Sequence, residues 1–205
     1  MDQRNTVLVL GGTGHYGQRI VRSLAAKGVP VRVLTRSATR AHGILPETVE
    51  VVEGDIESRE AVAMAIQGVG RVVVSVSAFD RKQIRRMWAI ERDAVIAALD
   101  EAKNASISRI VYLSVFEIWE EIAGRLYLDN AKIKLEVERH LKSSGFTWTI
   151  IGVPPSMEIF FAMTRGDRMV VPGGGPKVLP TISPVDLGEI VAQTALRDDL
   201  GGRRV

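Results

Sequence analysis

Short apolar runs recur along the chain with helical patterns between them: Thr6 to Leu10, Val31 to Thr35, Val49 to Val52, Val72 to Val76, Ile110 to Ser114 and Thr147 to Ile151. Each is rich in valine and isoleucine and is bounded by turn residues. A strand with one wet face alternates apolar and polar side chains, whereas a continuous apolar run suits a strand covered on both faces, as in a parallel sheet flanked by helices. The segments between the runs agree with that reading. Gln18 to Lys27 sets Ile20, Val21, Leu24 and Ala25 on one helical face and stops at Gly28, a residue suited to the left-handed conformation that ends a helix. Ala61 to Gln67 stops in the same way at Gly68, residues 84 to 102 read as a longer helix, and Asp129 to Ser144 ends at Gly145. Strand followed by helix, again and again, predicts an α/β fold with a doubly wound parallel sheet.

The chain has 205 residues, 46% hydrophobic and 25% charged, enough for one well-filled core. Residues 1–205 are therefore expected to form one nucleotide-binding domain, with 153–183 contributing a small substrate lobe. In that stretch "PGGGP", residues 172 to 176, suggests a hairpin. Ser183 and Asp186 then fit a capping box with Pro184 at the first helical position. The closing "GGRRV" reads as the start of another strand.

Charge and composition exclude several chemistries. The net charge of +3 is dispersed, and "RKQIRR", residues 81 to 86, reads as a solvated helix start, so no nucleic-acid partner is expected. The absence of cysteine excludes disulfides, thiolate catalysis and cysteine-ligated zinc. His15, His42 and His140 are far apart and lack metal-ligand spacing, so no metal is expected. With no leader-like start and no apolar run long enough for a bilayer, a cytoplasmic location without a membrane span is the expectation.

Chemistry enters at "LGGTGHYGQRI", residues 10 to 20, where a strand runs into three glycines and then a helix. In such a unit the first glycine allows a tight turn, the second lets backbone approach a pyrophosphate, and the third lets the helix pack close. Gly11, Gly14 and Gly17 fit these roles, and the helix amides would hold phosphate. Thr13 lies within this turn, and His15 and Tyr16 are placed over the pyrophosphate or at its rim. The second strand ends in "VRVLTRSATR", with Arg36 where a carboxylate would select NAD(H). A guanidinium there can pair with a 2′-phosphate, so NADP(H) is expected over NAD(H). In "VVEGDIES", Asp55 can accept from the adenine amino group or cap a helix, and Ile56 can pack on the ring. Beyond the fourth strand, Ser77 and Ala78 are small enough to lie beside pyrophosphate and ribose, with Phe79 as a wall.

Taken in order, "VLVLGGTGHYG", "VLTRS", "VVEGDIES", "RIVYLSVFE" and "KLEVERHLKSSGFTWTII" resemble the NmrA-like group of atypical short-chain dehydrogenases/reductases. The resemblance implies a Rossmann fold, NAD(P)(H) binding, and either reductase or isomerase activity or cofactor sensing without turnover. It places Ser114 and Val115 on the nicotinamide side of the cleft. It makes Lys134 the lysine that bonds the nicotinamide ribose and assists proton transfer, and it sets Val153, Pro154 and Ser156 over the nicotinamide. Lys134 and Ser114 are the candidate catalytic residues.

Two departures bear on activity. No tyrosine stands four residues before a lysine: Tyr127 precedes Lys132 by five and Lys134 by seven, and Ala131 holds the fourth position. The family phrase "TILRP" becomes "TIIGVP", with Gly152 for the arginine. A reductase of a quinone or other small carbonyl compound needs few acid or base residues, because hydride chemistry belongs to the cofactor. The apolar "MEIFFAM", residues 157 to 163, would suit such a substrate. A non-catalytic NADP(H)-sensing protein with a protein partner is the alternative, and a nucleotide-sugar epimerase-like enzyme a weaker one.

Overall fold

Continuous apolar runs become buried strands when both faces of a sheet carry helices. A computed structural model describes residues 5–78, 81–116, 129–169 and 180–205. The strands are β1 (Val7–Leu10), β2 (Val31–Thr35), β3 (Glu50–Glu53), β4 (Arg71–Val74), β5 (Arg109–Val115), β6 (Thr147–Val153), β7 (Thr164–Arg165), β8 (Arg168–Met169) and β9 (Arg203–Arg204). Among the described residues, seven pair in parallel in the order β3-β2-β1-β4-β5-β6-β9, and β7 and β8 form a separate antiparallel pair. The helices are α1 (Gly17–Ala26), α2 (Ala38–Ile44), α3 (Arg59–Ile66), α4 (Arg81–Ile84), α5 (Ala94–Asn104), α6 (Asp129–Ser143), α7 (Ile159–Met163) and α8 (Pro184–Ala195).

The period of two along each strand divides the core. Leu8, Leu10, Val72, Val74, Ile110 and Tyr112 face a layer built with α3, α5 and α6, while Val7, Val9, Val73, Val111 and Leu113 face α1 and α8. Val7, Leu8 and Val9 are all fully buried, which accounts for the unbroken apolar run. The chain builds outward from β1 to β3 and then returns to β4, so a crevice opens at the carboxyl ends of β1 and β4, where open α/β sheets bind ligands.

The ends of the elements follow local rules. Gly28, Gly68 and Gly145 take φ of 72°, 72° and 81°, the left-handed region expected where helices stop. Ser183 caps α8 by accepting from the Val185 amide at 3.2 Å, and Pro184 fills the first turn. "GGRRV" does contribute a strand, with Arg203 and Arg204 registered against Thr149 and Ile150. The "PGGGP" hairpin lies outside the described residues.

One expectation is corrected. The helix read over 84–102 is divided into α4, a π-helical turn at Trp88–Asp93, and α5. The wider turn presents Glu91 to the interior, and Glu91 is only 1% exposed. α2 had no apolar stripe to announce it; Ser37 starts it by accepting from the Arg40 amide at 3.2 Å.

α8 packs against α1 with backbone in near contact, because a Cβ on Gly188 would stand 2.8 Å from the Arg19 carbonyl carbon. Beside it, Glu189 accepts from Lys27 at 2.5 Å, from the Ser23 hydroxyl and from Gln193 at 2.8 Å. The Lys27 bond first, then those of Ser23 and Gln193, hold its carboxyl down from 4.5 to about 2. A lowered folded-state value stabilises the fold above the unfolded value, and that contribution fades as pH falls through the folded one. Glu189→Gln should therefore lower the urea midpoint at neutral pH, with the gap closing between pH 4.5 and about 2. Urea titrations of both proteins across that range check it; a gap independent of pH would refute the charge-based account.

Candidate functional site

Gly11 ends β1 with φ +82°, and a Cβ there would lie 2.4 Å from the Ser75 carbonyl oxygen. The chain then folds back so that the Gly14 amide donates to the Gly11 carbonyl at 2.9 Å. Gly17 opens α1 with its Cα against the same turn, where a Cβ would stand 2.0 Å from the Gly11 oxygen. At Gly14 a Cβ would meet only that oxygen, at 3.1 Å. Tyr16, at the N-cap, makes no side-chain cap, and the first turn of α1 carries no acid. The Gln18, Arg19 and Ile20 amides are taken by the Gly14 and Tyr16 carbonyls, and no side chain of this turn offsets the positive end of the helix, which suits an anion.

At the adjacent strand ends, the Thr13 and Thr35 hydroxyls lie 3.4 Å apart and Arg36 is exposed. Sequence reading passed over a nearby acid: Glu53 ends β3 opposite Thr35 and accepts from the Ala38 amide at 3.2 Å, at the start of α2. Asp55 does not cap α3. It closes a turn by accepting from the Glu57 amide at 3.0 Å, while Ser58 is the cap and accepts from Ala61 at 3.3 Å. Ile56 is half-buried against the core layer of α3 and α5.

Beyond β4, Val76 and Ala78 are buried and Ser77 is exposed; Phe79 lies outside the described residues. Glu91 reaches this loop from the π-helical turn. Its Oε1 accepts from the Ala78 amide at 2.6 Å, and its Oε2 stands 2.9 Å from Lys134 Nζ and accepts from Asn130 Nδ2 at 3.3 Å. Lys134 also donates to the Val76 carbonyl at 2.7 Å, and its Nζ lies 5.6 Å from the centre of the Tyr112 ring. Burial pushes the Lys134 ammonium below its ordinary pKa, and Glu91 opposes the shift. Burial pushes the Tyr112 phenol well up, and the nearby Glu91 and Glu138 charges add to that.

Ser114 is buried near the end of β5, and its hydroxyl has no partner among the described residues. Val115 is half-buried, and its carbonyl accepts from Arg204 Nη2 at 2.5 Å. A Cβ on Gly152 would stand 3.0 Å from Arg204 Nη1, so a guanidinium carried by β9 takes up room that a side chain at 152 would need. Arg204 also donates to Glu138 at 3.3 Å.

The segment that follows β6 meets the glycine turn. Val153 and Pro154 are half-buried, and Ser156 forms a bridge with Ile182. The Tyr16 hydroxyl bonds the Ser156 side chain; burial raises its pKa, and the Ser156 bond opposes the shift. His15 Nε2 lies 3.1 Å from Glu158 Oε2.

The structure thus gathers the glycine turn, Ser77, Ala78, Ser114, Val115 and Lys134 at one edge of the sheet, and brings Ser156 against Tyr16. Sequence reasoning missed Glu91, Asn130, Glu158 and Arg204. Asn130 alone had a local signal, since it precedes Lys134 by one helical turn. Among the described residues, no helix is long and apolar enough to cross a membrane.

The sequence signature of an NAD(P)H-binding family matches residues 11–198. The photosystem II assembly factor Ycf39 of Cyanophora paradoxa is 28% identical over 145 residues, covering 71% of this chain and 44% of that protein. The NmrA-like family domain-containing oxidoreductase malD of Malbranchea aurantiaca is 28% identical over 211 residues, covering 92% of this chain and 63% of its own length. The chain thus spans about half the length of these relatives. Among solved structures, the NADPH-dependent quinone oxidoreductase QOR2 of Escherichia coli, complexed with NADPH, superposes with a TM-score of 0.74 at 19% identity, over 97% of this chain and 68% of that one. At that identity the likeness is one of fold.

Proposed function

Because the chain belongs to the NAD(P)H-binding family, in its NmrA-like class of atypical short-chain dehydrogenases/reductases, we propose that it is an NADP(H)-dependent reductase of a quinone or similar conjugated carbonyl compound. The observation that carries this reading is one sheet edge that joins an uncapped glycine turn to a buried, unpartnered hydroxyl on Ser114. In this reading the Gly11–Gly17 turn holds the pyrophosphate, Arg36 the 2′-phosphate, and Asp55 and Ile56 the adenine. Ser77 and Ala78 flank the ribose. Ser114, Val115, Val153, Pro154 and Ser156 bound the nicotinamide end.

When bound, the cofactor supplies the hydride, and the protein supplies position and electrostatics. Ser114 can donate a hydrogen bond to a carbonyl oxygen as negative charge develops there, and a buried site strengthens that bond. Lys134 is already committed to Glu91 and the Val76 carbonyl, so it orients the wall of the crevice. That arrangement favours a quinone over a simple ketone. Hydride addition to a quinone leaves a phenolate-like anion, of pKa about 10 as in tyrosine, which needs little help from an enzyme acid. A simple ketone leaves an alkoxide closer to hydroxide, whose parent water has a pKa of about 15.7.

Fluorescence titration with NADPH, followed by absorbance assays with quinones, aldehydes and ketones, tests the reading. The expected result is saturable NADPH binding and oxidation that is faster with quinones than with ketones. Binding without oxidation by any acceptor would overturn it. That outcome would favour a cofactor-sensing protein, a second reading supported by the commitment of Lys134 to internal partners and by a relative named as an assembly factor.

A further inference from the structure

Glu91 is a buried carboxylate whose partners come from two separate elements, the segment that follows β4 and helix α6. A buried ion pair is a poor route to stability, because removing two charges from water offsets most of their attraction, and apolar replacements of equal volume often match or exceed it. A π-helical turn also gives up hydrogen-bond geometry, and such turns are frequent at functional sites. Here the turn presents one acid that binds the Ala78 amide through Oε1 and both Asn130 and Lys134 through Oε2. Lys134 in turn holds the Val76 carbonyl, so both ends of the Val76–Ala78 segment are tied to the same pair. This segment continues β4 at the point where the strand order reverses, beside the glycine turn. Asn130 stands one helical turn before Lys134, and its amide donates to the acid that fixes the lysine.

Resting on the cofactor reading above, we propose that Glu91 is a positioning residue for the nicotinamide half of the dinucleotide. Together with Asn130 and Lys134 it clamps the Val76–Ala78 segment into the wall that half rests on. The adenine half lies against Arg36, Asp55 and the glycine turn, none of which touches Glu91, so disturbing the clamp affects the two halves unequally. Glu91→Gln keeps the size of the side chain but cannot accept on both sides. It must turn an NH2 group toward Lys134 or toward the Ala78 amide, each already a donor.

The test compares two probes by titration: NADPH, and 2′,5′-ADP, which lacks the nicotinamide half. For Glu91→Gln the expected result is a loss of NADPH affinity of about tenfold, with 2′,5′-ADP affinity kept within about twofold. The double variant Glu91→Gln/Lys134→Met removes the unpaired cation and is the check on folding; it should keep the wild-type circular dichroism and the same selective loss. Equal losses for both probes, or unchanged NADPH affinity in a folded variant, would overturn the clamp. Wild-type protein that binds neither probe would overturn the cofactor reading and the clamp with it.

Discussion

Gly17→Ala is expected to cost at least about a hundredfold in NADP(H) affinity, together with a clear fall in thermal midpoint. The added methyl would lie 2.0 Å from the Gly11 carbonyl oxygen and 2.8 Å from both the Gly11 carbonyl carbon and the Gly12 Cα. All three are backbone atoms, so no side-chain rotation relieves the clash. The turn cannot retreat either, because Gly11 is backed against Ser75 and holds the Gly14 amide through the same oxygen. Either α1 tilts away from the turn or the turn opens, and both displace the amides that would meet phosphate. Overpacking of this kind costs about 1–3 kcal/mol, and more where only backbone can yield. Gly43→Ala is the control, since a Cβ there meets nothing within 4 Å. A folded Gly17→Ala protein with wild-type affinity would show that the turn is not the phosphate site.

Arg36→Asp should reverse cofactor preference. Arg36 is exposed at the end of β2, and the nearest acid of the neighbouring strand, Glu53, is engaged with the Ala38 amide. A charged hydrogen bond contributes about 1.5–3 kcal/mol, so losing it and placing a carboxylate beside a 2′-phosphate should shift the NADPH-to-NADH affinity ratio by about a hundredfold or more. Stability should move little, within about 0.5 kcal/mol, because an exposed side chain is replaced. Paired titrations with the two reduced cofactors at one fixed salt concentration measure the ratio, since the effect is electrostatic and screened by salt. An unchanged ratio would remove Arg36 from the proposed phosphate contact.

Several features of this protein were legible one segment at a time. Burial on both faces leaves its mark on each strand alone, so Val7–Leu10 and Ile110–Leu113 announced a covered parallel sheet before any pairing was known. The glycines of the first turn were equally legible, because their demand is on local φ and on an immediate strand–turn–helix path. The place of Arg36, one residue beyond the end of β2, was readable by its distance along the chain from Gly17. The division of 84–102 was not, because an apolar stripe at helical spacing does not distinguish a regular helix from one widened by a π-helical turn at Trp88–Asp93.

The sequence by itself determined the α/β class, the buried strands and the glycine turn, since periodicity and backbone freedom are properties of a few consecutive residues. Only the tertiary structure decided that Lys134 meets Val76, 58 positions away, that Asn130 meets Glu91 across 39, and that Arg204 meets Glu138 across 66 and takes up the room at Gly152. A buried charge requires a partner, but nothing along the chain names which one. That choice is made by the order in which parallel strands bring their carboxyl ends together.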